Sequence, residues 1–160
     1  MKQYKIVVIC MCILLLLAGG VYAQQKTVRI LAIGNSFSQD AVEQYLHELA
    51  EAEGISTIIG NMFIGGCSLE RHVKNARDNA PAYAYRKIGT DGKKREKGKM
   101  SLETVLADED WDYVSLQQAS PFSGMYETYE ASRRICKSTP SKENKADAAP
   151  NLGVCIYFQA

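Results

Sequence analysis

A short apolar run that ends at a glycine and leads into helical periodicity most limits how this chain can fold. Val28 to Ile33 (Val-Arg-Ile-Leu-Ala-Ile) is rich in β-branched residues and stops at Gly34. Such a run is typical of a central strand that is buried on both faces. From Gln39 to Glu53 apolar side chains recur at helical spacing, which predicts a helix packed on that strand. Ser38 is the expected N-cap, and Gly54 is expected to end the helix.

The same alternation continues along the chain. Ile55 to Ile64 and Asp112 to Gln117 also have the composition of strands. Helices are predicted over Ser68 to Asp78 and Ser101 to Ala107, each with a serine at its start. Strand, helix and strand in this order form a right-handed parallel βαβ unit. The sequence therefore predicts an α/β domain in which the three strands lie parallel in one sheet.

Two segments depart from this alternation. Residues from about 83 to 98 alternate weakly around Thr90-Asp91-Gly92, which predicts a hairpin inserted between βα units. Its Lys and Arg residues are interrupted by acidic ones, which favours a solvated surface over a binding patch. Residues 131–160 form a polar tail without periodicity, except for a strand-like Val154 to Phe158. We expect a truncated or frame-shifted C-terminus or a disordered tail, and the sequence does not separate the two.

The N-terminus has the three parts of a secretory signal peptide. Lys2 and Lys5 are basic, Ile6 to Leu17 is apolar, and Val21-Tyr22-Ala23 places small residues at the −3 and −1 positions. The apolar run is too short to span a hydrocarbon core of ~30 Å as a helix. We therefore expect cleavage after Ala23, so that residues 1–23 are removed. The mature protein would be secreted or periplasmic, without a stable membrane anchor.

Composition excludes several classes of function. The formal net charge of +1 offers no electrostatic case for binding nucleic acid. No phosphate-binding glycine loop, paired-carboxylate signature or metal-ligand spacing is present, so we expect no cofactor and no metal. The mature chain keeps Cys67, Cys136 and Cys155, an odd number that leaves at least one thiol unpaired. A bridge between Cys136 and Cys155 stays open, and oligomeric state cannot be read from the sequence.

The residues with the clearest chemical potential stand at the end of the first strand. Gly34-Asn35-Ser36-Phe37-Ser38 joins this strand to the following helix, where ligands bind in open α/β sheets. Backbone N–H groups at the start of a helix stabilise negative charge. Ser36 is therefore a candidate nucleophile, and its own N–H a candidate oxyanion donor. A helix-capping role for Ser36 is the alternative reading.

The ends of the other two strands would face the same cleft. Gly65 and Gly66 follow the second strand, and paired glycines let a backbone approach a ligand closely. Gln117 and Gln118 end the third strand, and either carboxamide could donate a hydrogen bond into the cleft. Because adjacent residues of a strand point to opposite faces, only one of them can do so, and Gln117 is preferred.

These three strand ends resemble the SGNH/GDSL hydrolases, in particular a secreted and largely uncharacterised branch of that superfamily. The resemblance covers about Val28 to Tyr129 and implies a flavodoxin-like, three-layer α/β/α fold that is incomplete at the C-terminus. It implies that Ser36 is the nucleophile and that Gly34 and Asn35 support it. The N–H of Gly66 or Gly65 would be an oxyanion donor. Gln117 or Gln118 would take the place of the family's oxyanion asparagine.

One part of that family's machinery has no counterpart here. The family takes its general base from an Asp-x-x-His motif near the C-terminus, whereas the two histidines of this chain, His47 and His72, lie upstream of the third strand. His47 is expected on a helix surface, and His72 follows the Gly-Gly turn by one helical turn. A serine without a base loses most of its nucleophilic advantage.

Two hypotheses follow. The first is a serine esterase that acts on small esters or acylated carbohydrates, weak or inactive in this chain because the base is absent. The second is a non-catalytic exported module that binds carbohydrate or acyl groups in the same cleft.

Overall fold

The computed structural model describes residues 27–132 and 155–158. These residues form one six-stranded sheet, four α-helices and two 3₁₀ helices. In chain order, the strands and helices are β1 (Val28–Gly34), α1 (Ser36–Glu43), α2 (Leu46–Ala52), β2 (Thr57–Phe63), α3 (Leu69–Arg77), β3 (Tyr83–Ile88), β4 (Lys94–Met100), α4 (Leu102–Leu106), β5 (Tyr113–Gln117), the 3₁₀ helices Ser120–Phe122 and Tyr126–Ser132, and β6 (Cys155–Phe158).

The sheet has the order β4-β3-β2-β1-β5-β6. β1 lies between β2 and β5 and is parallel to both, with Leu31 opposite Gly60 on one side and Val114 on the other. The prediction that these three strands lie parallel in one sheet is confirmed. Because parallel strands end at the same edge, β1, β2 and β5 place their carboxyl ends next to one another.

Helices cover both faces of this sheet, which confirms the predicted α/β class. On one face, Leu31 and Ile33 of β1 pack with side chains of α3 and α4, including Leu69 and Val105. On the other face, the smaller Ala32 packs with residues of α1 and α2 and of the neighbouring strands. The alternation of β1 side chains thus builds two cores, one on each side of the sheet.

The helix after β1 differs from the prediction. In place of one helix over Gln39 to Glu53, the chain forms α1 and α2 with a break at Gln44 and Tyr45. The N-cap of α1 is Asn35, whose side chain accepts from the N–H of Phe37 at 3.2 Å. Ser38 lies inside the helix, and its hydroxyl bonds the Asn35 carbonyl at 2.8 Å. Asparagine and serine are both good N-caps, so spacing alone did not distinguish these two positions.

The segment after α3 forms an antiparallel hairpin that extends the sheet beyond β2. β3 pairs with β2, and β4 is the edge strand. β4 is solvent-exposed and rich in charged residues, a composition that discourages pairing with another chain. At the other edge, β6 is parallel to β5.

The predicted signal peptide and most of the polar tail lie outside the described residues, and so do the side chains of Cys136 and Cys155. Within residues 27–132 and 155–158, no helix is long and apolar enough to cross a membrane.

Candidate functional site

The side chain of Asn35 joins the carboxyl ends of β1, β2 and β5. Its amide nitrogen donates to the backbone carbonyl of Cys67, after β2, at 3.3 Å and to that of Gln118, after β5, at 3.2 Å. Its carbonyl oxygen caps α1, and the residue is 2% exposed. The three strand ends predicted to form the cleft therefore converge, and Asn35 holds them together.

Gly34 is required for this arrangement because a side chain would not fit. A Cβ at Gly34 would lie 2.7 Å from the hydroxyl of Ser38 and 2.8 Å from the side-chain oxygen of Gln117. Real Cβ atoms do not approach other atoms so closely. The glycine lets α1 turn back tightly against the ends of β1 and β5.

Ser36 is the first residue of α1 and is exposed to solvent. In the described part of the chain, neither its hydroxyl nor its backbone N–H makes a hydrogen bond. The first N–H groups of a helix have no partner within the helix, and they attract negative charge. Because Asn35 provides the cap of α1, the hydroxyl of Ser36 is free for other chemistry.

The two glutamines of the third strand end occupy different environments. The side-chain oxygen of Gln117 faces the Asn35 N–H at a long 3.5 Å. Its amide nitrogen makes no hydrogen bond to any residue that the structure describes. Gln118 is bonded at both ends of its carboxamide: its oxygen accepts from the N–H groups of Leu69 and Ala119, both at 2.9 Å. Its nitrogen donates to Thr128 at 2.9 Å.

Of the two carboxamides, therefore, only that of Gln117 has an amide nitrogen without any hydrogen bond among the described residues. Gln118 instead anchors the start of α3 to the end of β5.

The glycines after β2 form an open turn. Gly65 and Gly66 are exposed, and neither backbone N–H has a hydrogen-bond partner among residues 27–132 and 155–158. Gly66 has a φ of 61°, a conformation that glycine adopts more readily than other residues. No atom lies within 4 Å of the position of its missing Cβ. The turn thus leaves its N–H groups available beside the carbonyl of Cys67 that Asn35 binds.

Neither histidine contacts Ser36. The prediction that His47 lies on the helix surface is wrong, because it is 5% exposed and bonds Thr57 at 2.9 Å through Nδ1. Thr57 begins β2, so His47 lies at the end of the sheet opposite to the cleft. The break between α1 and α2 turns this residue inward, which a single continuous helix would not.

His72 belongs to a buried polar cluster in the core beneath α3. Its Nδ1 lies 2.9 Å from the hydroxyl of Tyr83 and 3.5 Å from Cys67 Sγ. The rings of His72 and Tyr83 are stacked. Burial lowers the pKa of His72 to about 4 and raises the pKa of the Cys67 thiol to about 11. At neutral pH both groups are therefore uncharged, and this site is unsuited to general-base catalysis at the surface.

Sequence reasoning missed a second polar network beneath α1. The hydroxyl of Ser38 lies 3.2 Å from the side-chain oxygen of Asn61, whose nitrogen donates to Glu43 at 2.5 Å. The Glu43 carboxylate, with a side chain only 3% exposed, also pairs with Arg86 and Lys94 of the hairpin. The available signal was Asn61, a polar residue inside the apolar run of β2. Such a residue needs a buried partner.

A pocket adjoins the cleft on the side of α3. Its volume is about 270 Å³, and it is lined by Ser68, Glu70, Gln118, Phe122, Glu127 and Thr128. In the described part of the chain, no three His, Cys, Asp or Glu side chains come together in a way that could hold a metal ion.

Comparison with known proteins gives a family and one solved structure. The family model described as "Domain of unknown function (DUF4886)" matches residues 29–147. A crystal structure of a DUF4886 family protein from Bacteroides uniformis ATCC 8492 is 71% identical to the chain, with a TM-score of 0.65. The match covers 68% of this chain but 42% of that protein, so the chain spans less than half of its length. No curated protein matches the chain.

These findings overturn the resemblance to the SGNH/GDSL hydrolases. Both the family model and the solved structure belong to DUF4886, so the assignment drawn from Gly34-Asn35-Ser36 is wrong. The structure supplies the physical reason. Gly34 is required by packing, and Asn35 caps a helix and joins strand ends. A tight β–α turn therefore requires these residue types for structural reasons, and their presence does not imply that family.

Proposed function

Since the chain belongs to the DUF4886 family, a domain of unknown function, we propose its function from the geometry of the cleft: hydrolysis of small esters, with Ser36 as the nucleophile. The observation that carries this proposal is an exposed serine hydroxyl at the edge where Asn35 joins the strand ends, an edge that also carries hydrogen-bond donors without a partner among the described residues. The donors are the N–H groups of Ser36 and Gly66 and the amide nitrogen of Gln117. Acyl transfer needs a nucleophile and donors of this kind where an oxyanion develops.

In this reaction the Ser36 oxygen attacks the carbonyl carbon of the ester. Negative charge develops on the carbonyl oxygen, and the donors stabilise it. The tetrahedral intermediate expels the alcohol, which takes up a proton, and water then hydrolyses the acyl-serine. The serine proton passes to solvent, because no imidazole lies beside Ser36 among residues 27–132 and 155–158. We therefore expect slow turnover, since removing a triad member from a serine hydrolase costs on the order of 10⁴ to 10⁶ in rate.

The proposal is tested with p-nitrophenyl acetate under conditions where acylation is slow enough to trap. Mass spectrometry of the quenched protein should find the acetyl group on Ser36, and Ser36→Ala should remove both the adduct and the protein-dependent hydrolysis. Ser120→Ala is the matched control, because Ser120 is also exposed at the start of a helix. Hydrolysis that survives Ser36→Ala, or an adduct on another residue, contradicts the proposal.

Gln117 provides an independent test of the oxyanion donors. Gln117→Ala removes a carboxamide whose nitrogen makes no hydrogen bond among the described residues. Loss of one oxyanion donor lowers kcat by on the order of 10² to 10³, and KM should change little. A raised KM with kcat unchanged would instead assign Gln117 to ground-state binding.

A second function, a non-catalytic module that binds acylated carbohydrate or other acyl compounds, is favoured by one observation. Both histidines are buried and bonded elsewhere, so the cleft lacks an imidazole in the described part of the chain. Binding of an acylated sugar that persists in Ser36→Ala, with no hydrolysis by the unmodified protein, would support this function over the first. In either case we propose that the protein acts after export and takes a small ester or acylated carbohydrate as its partner.

A further inference from the structure

We propose that the pocket beside the cleft is the specificity pocket of this site, and that it takes an uncharged apolar arm of the ester while excluding anionic ones. This inference rests on the proposed function, because it assigns the pocket to the same substrate. The pocket is the one lined by Ser68, Glu70, Gln118, Phe122, Glu127 and Thr128.

The pocket and the cleft share the strand ends that Asn35 joins. Gln118 lines the pocket with its side chain, and its backbone carbonyl accepts from the Asn35 amide. Ser68, on the facing wall, directly follows Cys67, whose carbonyl accepts from the same amide. Asn35 in turn precedes Ser36. On this basis we assign to the pocket one arm of a substrate whose carbonyl lies at Ser36.

The size of the pocket limits the length of this arm. The pocket volume is about 270 Å³, slightly below the range of roughly 300 to 1,000 Å³ for pockets that take drug-sized ligands, so we assign it a short arm. A hexanoyl or phenyl group fits within this volume. An acetyl group would leave most of it to water, and a long fatty acyl chain would exceed it.

Several polar atoms at the back of the pocket already bond within the protein, which favours a largely apolar occupant. Gln118 uses both ends of its carboxamide in bonds within the protein, and Ser68 accepts from the N–H of Arg71 as the cap of α3. Phe122, which is 42% exposed, contributes an aromatic wall. An alkyl or aryl group gains free energy by covering the apolar part of this surface, including the Phe122 ring.

The two carboxylates at this pocket determine the charge that it accepts. Neither Glu70 nor Glu127 forms a salt bridge or a side-chain hydrogen bond with any described residue, and both are exposed. They repel an anionic group that enters the pocket, but they impose no penalty on a neutral one. The pocket should therefore distinguish two arms of the same length that differ only in charge.

Binding of non-hydrolysable probes tests the pocket separately from catalysis. Hexanamide, hexanoate and acetamide are titrated into the unmodified protein, and the side-chain amide signal of Gln118 is followed by NMR. Hexanamide should shift this signal and bind about tenfold tighter than hexanoate, a difference of about 1.4 kcal/mol. Acetamide should bind more weakly than hexanamide because it covers less of the apolar wall.

Two sets of variants sharpen the test. Phe122→Ala should weaken hexanamide by about tenfold through lost apolar contact. The matched control is Tyr126→Ala, which removes a more exposed aromatic side chain from the same region but outside the pocket lining. Replacing both acids, as Glu70→Gln with Glu127→Gln, should bring hexanoate close to hexanamide.

The outcomes separate this inference from the proposed function. If hexanamide leaves the Gln118 signal unchanged, or if hexanoate binds as tightly as hexanamide in the unmodified protein, the pocket inference is overturned whether or not esters are hydrolysed. If hexanamide binds as described but Ser36 is never acylated, the pocket stands as a binding site and the esterase function fails.

Discussion

Removing the side-chain bridge at Asn35 should loosen the whole cleft edge, and the structure allows its contribution to be isolated. Asn35→Ser keeps a residue that caps helices well but removes the amide that binds the carbonyls of Cys67 and Gln118. Each buried hydrogen bond contributes roughly 1 kcal/mol, so the loss of two should lower the free energy of unfolding by about 2 kcal/mol. Asn35→Ala also removes the cap and should cost about 1 kcal/mol more.

The assay is urea denaturation followed by far-UV circular dichroism, with the three proteins compared at the same pH. Ser101→Ala is the matched control, because Ser101 is a buried cap whose side chain bonds only within its own turn. Ser101→Ala should lower the free energy of unfolding by about 1 kcal/mol, because it removes a helix cap that does not join distant segments. If Asn35→Ser unfolds within about 0.5 kcal/mol of the unmodified protein, which is the usual range for surface substitutions, the bridge does not hold the strand ends together.

Three further predictions concern packing, pH and export. Gly34→Ala should destabilise the protein by about 1 to 3 kcal/mol, since the added Cβ would overlap Ser38. In the same denaturation assay Gly124→Ala should be neutral, because a Cβ at Gly124 would meet nothing within 4 Å. If the two substitutions lowered the free energy of unfolding equally, the steric argument would be contradicted. The lowered pKa of His72, about 4 against an ordinary value of 6.5, means that the unfolded chain takes up a proton before the folded one. The contribution of neutral His72 to the free energy of unfolding is complete above pH 6.5 and declines as the pH falls towards 4, by about 3 kcal/mol in total. The free energy of unfolding, measured between pH 7.5 and 4, should therefore depend less on pH in His72→Gln. An unchanged slope in this variant would refute the role of His72. Mass spectrometry of the exported protein should find Gln24 at the N-terminus, whereas an intact Met1 in the membrane fraction would contradict signal cleavage.

Much of the architecture was predictable because it depends on local patterns. The β-branched run before Gly34 and the helical periodicity after it identified a buried strand and its helix, and two further strands of the same kind predicted the parallel sheet. Ser68 was correctly predicted as an N-cap, since a serine before an apolar periodic segment has a local physical meaning. The helix predicted from Ser101 also forms, and Ser101 is its N-cap. The convergence of three strand ends followed from the parallel arrangement alone.

The details of the cleft could not be predicted in this way. The sequence left Gln117 and Gln118 as alternatives, and the choice depended on which one met Leu69, a residue 49 positions away. The prediction for His47 failed because the break between α1 and α2 rotates that residue towards Thr57. The family resemblance failed because the same residue types, a glycine and an asparagine before a serine, occur in a catalytic motif and are here required by packing and hydrogen bonding.

By itself, then, the sequence determined the order of the elements, the direction of the central strands and the edge of the sheet where a cleft forms. These properties follow from side-chain periodicity, turn residues and caps, which act over a few neighbouring residues. Only the tertiary structure decided that Asn35 joins the strand ends, that Glu43 is buried against the hairpin and that the amide nitrogen of Gln117 has no partner among residues 27–132 and 155–158. Hydrogen bonds form only when atoms come within about 3 Å, and that proximity is set by the register and packing of segments that are distant in the chain.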